Sequence, residues 1–394
     1  MLEKIVLRRS ESGAPVSAGQ IAEALLFYQN VHLILDHGTF IHLVRQLGIG
    51  RLISLCRRHD FKAVFCDETL VTKTDSVGVQ RVHDFGAFRF VGHESVRFNS
   101  REERIAYTLK NEGVAKKDAD RFAKVFLRGV PIRRYSGDFF VPGGIPEAAR
   151  RDVLDPDFLL KAARAIVRLT PGAEDFAESL RFELLQSELG LFVFTNVDFA
   201  EVNRRRAATT PALEPFTEAH VLTNILDARA DLALASFYGG DFSTSSMTSA
   251  VVRLRYSELL RRTGIDAEAI QYFHEVMLPD MPTIREVLDT GERSFDEFLV
   301  LLDKAARFKE WLKSVSPDEG VLRSYMHDVS AEGWFQKLPA KGIRYLFTVA
   351  LEAHNPAIGT VAALTDSLLL EKLLGGWRPN HFVDNRLAPF LGQP

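Results

Sequence analysis

The sequence predicts a mainly α protein with an α/β N-terminal region and a helix-rich C-terminal region containing one β-hairpin. Three observations carry this expectation. Helix-start signatures punctuate the last third of the chain. Short, largely apolar runs at 31–35 and 62–66 flank helical periodicity near the N-terminus. A loop rich in Gly and Pro, from Pro131 to Pro146, interrupts the pattern and divides the chain into an α/β (α+β) region, 1–145, and a predominantly helical region, 146–394. At 394 residues the chain exceeds what one hydrophobic core holds, which favours two domains.

The elements follow in order. Ser17 with Gln20 opens a helix whose apolar positions are Ile21, Ala24, Leu25 and Tyr28. Residues 31–35 read as a buried strand. Thr39 can cap a helix carrying Phe40, Leu43, Val44 and Leu47, and a second stretch continues through Leu52, Ile53 and Leu55. Residues 62–66 form the next strand. Strand, helices and strand over this span predict a right-handed parallel crossover.

Residues 70–98 contain Gly, Ser, Asp and alternating apolar positions and fit a hairpin or an irregular β excursion, with 87–91 as the best strand. Ser100 and Glu103 form a capping box for a helix reaching about Asn111. A further helix covers 115–128. Beyond the loop, 157–169 is helical, and 180–197 reads as a hairpin turning near Leu189-Gly190, because Leu180, Phe182 and Leu184 alternate with Arg181 and Glu183. From about 215 onward the chain reads as successive helices. Thr283 with Glu286, Ser294 with Glu297 and Ser316 with Glu319 are capping boxes, and Asp266 is a plain N-cap. Pro317 occupies a first helical position, which needs no N–H.

Composition excludes several classes. A net charge of −3 exerts no global pull on nucleic acid or anionic membrane, so such contacts need a local patch. Two cysteines, Cys56 and Cys66, make no disulfide framework and no zinc-binding pair, which points to a reducing compartment and a cytoplasmic location. The N-terminal apolar patch is too short for a signal peptide, and its charges lie on the wrong side.

Candidate chemistry is sparse. Asp36 follows the first strand, and Asp67-Glu68 follow the second. Carboxyl ends of strands line the ligand crevice of an open α/β sheet, and acids gathered there, with Asp84 beside them, could hold Mg²⁺ for phosphodiester cleavage. Acids also close strands and open turns for purely structural reasons. His274-Glu275 begins a zinc-protease pattern, but Leu278 stands where its second His belongs. No phosphate-binding glycine loop and no nucleophile elbow is present.

The clearest positive signal is a basic helix face. Lys117, Arg121, Lys124 and Arg128 recur every three or four positions opposite Ala115, Ala119, Phe122 and Phe126. Arg101, Arg104, Lys110, Arg133 and Arg134 lie nearby in sequence, and Arg204, Arg205 and Arg206 form a second cluster. Such a row can track phosphates; Asp118 and Asp120 interrupt it, as in an ordinary solvated helix face. Near the C-terminus, 343–374 is strongly apolar, but its uninterrupted run falls short of the roughly twenty residues a membrane span needs. Asp366 at its centre would cost about 3 kcal/mol on insertion.

These readings converge on a cytoplasmic regulatory, adaptor or effector module that works through protein or nucleic-acid contacts and leans away from being an enzyme. It requires no cofactor. Two alternatives remain. One is a metal-dependent phosphodiesterase or nuclease using Asp36, Asp67 and Glu68 with Mg²⁺. The other is a conditional membrane effector acting through a rearranged C-terminal apolar helix.

Overall fold

The computed structural model describes residues 3–10, 13–89, 92–93, 96–209, 214–263, 274–278, 284–314, 343–347, 382 and 386–391. Along the chain run β1 (Lys4–Leu7), α1 (Ala18–Phe27), β2 (Asn30–Leu35), α2 (His37–Leu47), α3 (Ile49–Leu55), β3 (Phe61–Cys66), β4 (Thr69–Val77), β5 (Gln80–Phe88), β6 (Gly92–His93) and β7 (Val96–Arg97). Then come α4 (Arg101–Asn111), α5 (Lys116–Gly129), β8 (Ile132–Arg133), α6 (Ile145–Val153), α7 (Pro156–Arg168), β9 (Phe182–Ser187) and β10 (Gly190–Thr195). The remainder comprises α8 (Phe199–Thr209), α9 (Glu218–Tyr238), β11 (Asp241–Phe242), α10 (Ser246–Thr263), β12 (His274–Leu278), α11 (Ile284–Asp289), α12 (Phe295–Lys304), α13 (Ala306–Ser314) and β13 (Ile343–Phe347). The chain forms two compact units, one of Met1–Ile5, Ser17–Val31 and Tyr272–Pro394, the other of Val6–Val16 and His32–Gln271.

The larger unit is built on a five-stranded parallel sheet in the order β11-β1-β2-β3-β8. Val6, Leu7, Leu33, Ile34, Leu35, Val64, Phe65 and Cys66 are all buried. Continuous apolar runs of this kind are what strands covered on both faces require. Phe40 of α2 and Phe126 of α5 meet Phe65 of β3, with ring centroids 4.9 to 5.9 Å apart. A second sheet, four-stranded and antiparallel, has the order β4-β5-β10-β9. One face carries the buried Leu70, Phe85, Phe182 and Leu191, while Leu185 and Phe194, on the other, are exposed.

This arrangement corrects the expected fold class. Helix exceeds strand, 54% to 19%, yet two sheets organise the N-terminal half, so the fold is α/β rather than mainly α. The hairpin at 182–195 is not an isolated insert among helices. β10 pairs with β5 through Leu191 with His83 and Phe192 with Val82, joining two hairpins into one sheet. The physical reason is edge satisfaction, since a lone hairpin leaves backbone donors and acceptors unpaired and is marginal in water. A further correction concerns the C-terminal region, where β12 and β13 pair antiparallel instead of extending a run of helices.

The cap of α2 also differs from expectation. Asp36 accepts from the Thr39 N–H at 2.8 Å, and the helix starts at His37, so Thr39 lies inside it. Ser17 caps α1 as its sequence predicts, accepting from the Gln20 N–H at 3.1 Å. Ser100 caps α4, accepting from the Glu103 N–H at 3.1 Å. The Ser294 capping box is complete, with Glu297 reaching back to the Ser294 N–H at 2.8 Å. Asp266, Thr283, Ser316, Pro317 and Asp366 lie outside the described residues, as does most of the apolar segment 343–374. Its first residues, Ile343–Phe347, form β13. Among the described residues, no helix is long and apolar enough to cross a membrane.

In the smaller unit, α1 packs against α11, α12 and α13. The Lys309 ammonium donates to the Leu25 carbonyl at 2.8 Å, and Arg285 pairs with Glu23 at 3.2 Å. These polar groups are buried or half-buried, and their bonds offset the cost of removing them from water.

Candidate functional site

Each parallel strand delivers a charged or hydroxylated segment at its carboxyl end. Arg8-Arg9 follow β1, Asp36-His37 follow β2, Asp67-Glu68 follow β3, Tyr135-Ser136 come just after β8, and Thr244 follows β11. Loops at this edge form the crevice of open parallel sheets, because the helices that follow begin there.

Beside β11 the edge is filled. The Arg8 guanidinium is buried and donates through Nε to Asp231 at 2.7 Å, with Asp227 at 2.8 Å. Burial opposes its charge, but the two carboxylates outweigh it and hold Arg8 above its ordinary value. The Thr244 hydroxyl completes the set, donating to Asp231 at 2.6 Å. At the centre, Arg9 pairs with Asp36 at 3.0 Å. The Cys66 thiol and Tyr135 hydroxyl share a hydrogen bond, and burial pushes both groups up. Cys66 is therefore a protonated core thiol at neutral pH rather than a nucleophile.

Beyond β3 the edge opens into a cleft of about 140 Å³ lined by His37, Asp67, Glu68, Phe88, Arg104 and Thr108 among others. Three arginines converge on Asp67. Arg101 lies at 2.7 Å, Arg104 at 2.9 Å and Arg89 at 3.7 Å from its Oδ2. Arg89 also reaches Glu68 at 3.4 Å. Glu68 accepts from the Ser136 N–H at 2.8 Å and from the Ser136 hydroxyl at 2.6 Å. Burial lowers the His37 pKa, against the opposing pull of Asp36 and Asp67.

The candidate residues thus separate. Asp67 and Glu68 share the cleft, and both are held by guanidinium groups. Asp36 is committed to Arg9 and to capping α2. Asp84 stands apart, paired with Arg150. Among the described residues, no group of three or more His, Cys, Asp or Glu side chains is disposed to hold a metal ion. On α5, Lys117, Arg121, Lys124 and Arg128 are all exposed, as their spacing predicts. Arg121 pairs with Asp118 at 3.0 Å and Lys124 with Glu102 at 3.6 Å.

Sequence pattern alone does not single out Arg89 or Ser136, and it places Arg101 and Arg104 only as neighbours of the basic helix. One signal for the latter pair exists. Arg101 and Arg104 sit in the first turn of α4, where the helix dipole disfavours cations. Such a placement calls for an anion close by, and Asp67 is that anion. Arg89 carries no comparable signal, because its partners are twenty-one or more positions back along the chain. Chemically, this edge concentrates guanidinium and carboxylate groups. Guanidinium forks match carboxylate and phosphate geometry, and three of them share one aspartate and part of one glutamate. Comparison with family models, curated proteins and solved structures returned no match to this chain.

Proposed function

We propose that this chain is a cytoplasmic regulatory, adaptor or effector module that acts by contacting nucleic acid, with the arginine-bearing edge of its parallel sheet as the contact region. The carrying observation is the convergence of Arg89, Arg101 and Arg104 on Asp67. Three guanidinium groups meet two carboxylates there, Asp67 and Glu68, at one edge of a chain whose net charge is −3. Arg89 and Arg101 are partly exposed, so a phosphate can take up guanidinium donors that Asp67 leaves over. Exposed Lys117, Arg121, Lys124 and Arg128 extend the basic surface along α5.

The phosphodiesterase alternative asks Asp36, Asp67 and Glu68 to bind Mg²⁺ together. Arginines occupy the same oxygens, and a cation would have to displace them. That favours contact over cleavage.

The test is a salt series of DNA affinities for the intact protein. Log affinity is expected to fall linearly with log salt. Replacing Lys117, Arg121, Lys124 and Arg128 with Gln, or Arg101 and Arg104 with Gln, should weaken binding and make the slope shallower by about one for each phosphate released from the protein. Thermal melts check that each variant is folded. Unchanged retention on heparin and DNA in both sets would end the proposal, and Mg²⁺-dependent cleavage of the DNA would replace it with the enzymatic reading.

A further inference from the structure

The cleft beyond β3 holds groups that the arginine cluster does not use. Its wall includes the apolar side chains of Phe65, Ile105 and Phe88. Phe88 is the last residue of β5, pairs with Thr69 of β4, and is 60% exposed. Among the described residues, no aromatic ring or cation lies over its ring. Thr69 and Thr108 also line the cleft, and among the described residues neither hydroxyl is engaged in a hydrogen bond.

The arginines stand at this same cleft. Arg104 lines it, and so does Asp67, to which Arg101 and Arg89 are bound. Arg89 follows Phe88 directly in the chain. The Arg101 and Arg89 side chains are 37% and 30% exposed, which leaves guanidinium donors beside the cleft for an anion. α4 begins here as well, and the positive end of its dipole favours the same charge. At about 140 Å³ the cleft is close to the cavities, on the order of 150 Å³, that accept a benzene ring. It therefore has room for one six-membered ring.

Resting on the nucleic-acid reading above, we infer that this cleft holds the base of one unpaired pyrimidine nucleotide of a bound strand, with its ring against Phe88 and its phosphate on Arg101 and Arg89. Three observations select this occupant. The volume suits a single ring rather than the fused pair of a purine. The Thr69 and Thr108 hydroxyls match polar atoms on a ring edge, which a pyrimidine supplies as carbonyl oxygens and an N–H, and which the phenyl group of a protein partner lacks. The guanidinium groups beside the cleft match an anion attached to that ring, and a nucleotide carries one. A base inside a duplex keeps its faces stacked and its edge paired, so the strand is single at this point.

The experiment compares a fluorescent oligothymidylate with an abasic strand of the same length and charge, each bound to the full chain and read by anisotropy. The oligothymidylate should bind about tenfold more tightly than the abasic strand, and more tightly than an oligodeoxyadenylate. Phe88→Ala should bring it down to the abasic level, and Thr108→Val should weaken it roughly fivefold. Neither variant should alter abasic-strand binding or heparin retention, because the phosphate contacts remain. Phe88→Tyr should keep wild-type affinity. Thymidine 5′-monophosphate should displace the labelled strand only well above the strand's own concentration in nucleotides. Displacement at equal concentration makes a free nucleotide the source of the ring and overturns the inference. So does equal affinity for the thymidylate and abasic strands, or wild-type affinity in Phe88→Ala. If Arg101→Gln with Arg104→Gln still weakens heparin retention in those cases, the contact reading survives alone. Absence of binding to any polyanion removes both.

Discussion

Gly19 shows how one missing methyl group sets a helix contact. It lies in the first turn of α1, and a Cβ built there would sit 2.6 Å from both the Cα and the carbonyl oxygen of Arg285 on α11. The Gly19 N–H donates to the Asp289 carboxylate at 3.0 Å, so the two helices are bonded as well as close. In an open helix Gly→Ala stabilises by roughly 0.5–1 kcal/mol. Here the steric contact is with backbone, which cannot turn aside. Gly19→Ala is therefore expected to destabilise by about 1–3 kcal/mol, measured as a lower urea midpoint. A raised midpoint would mean that α1 and α11 can separate cheaply.

At the scale of elements, Asp152 is the buried tie of the helical layer. Its carboxylate, on α6, accepts from Arg229 of α9 and Arg255 of α10. Both arginines are partly exposed, while the aspartate is not. Asp152→Asn removes the charge that three helices share and should cost roughly 3 kcal/mol, seen as a lower melting temperature. The Arg204–Glu201 pair on α8 is the contrast, because its arginine is largely in water. Arg204→Gln should leave the melting temperature close to that of the wild type. Equal effects of the two substitutions would refute the distinction between buried and exposed pairs.

For the larger unit as a whole, histidine burial sets the response to acid. Burial pushes His37, His83 and His220 below their ordinary value of 6.5. At a pH between the folded and unfolded values, the unfolded chain binds more protons than the native one. The histidine contribution to stability is thus fully present above about pH 6.5 and disappears as pH falls toward the depressed folded values. Melting temperatures should be flat above that point and decline below it. His83→Gln should reduce the decline, since His83 lies buried on β5 with its Nδ1 2.9 Å from the Thr74 hydroxyl. An acid response identical in the variant would assign the decline to other groups.

The local chemistry of the chain is legible without coordinates. Ser17, Ser100 and Ser294 cap where their spacing predicts, because a cap is a contact between residues three apart. The β2 and β3 strands read as apolar runs, and the exposed row on α5 follows from helical period alone. The assembly of the sheets is not legible in this way. β8 and β11 have two residues each, too few to display any period, and the union of β5 with β10 joins positions more than a hundred residues apart. The same limit governs the site. Asp67 can be named from its place after a strand, but its arginines arrive from the end of β5 and from α4, twenty-two to thirty-seven positions onward in the chain. Periodicity and capping are nearest-neighbour physics and reside in the sequence itself. Which distant charges and edges meet is decided by long-range burial, and that exists only once the chain is folded.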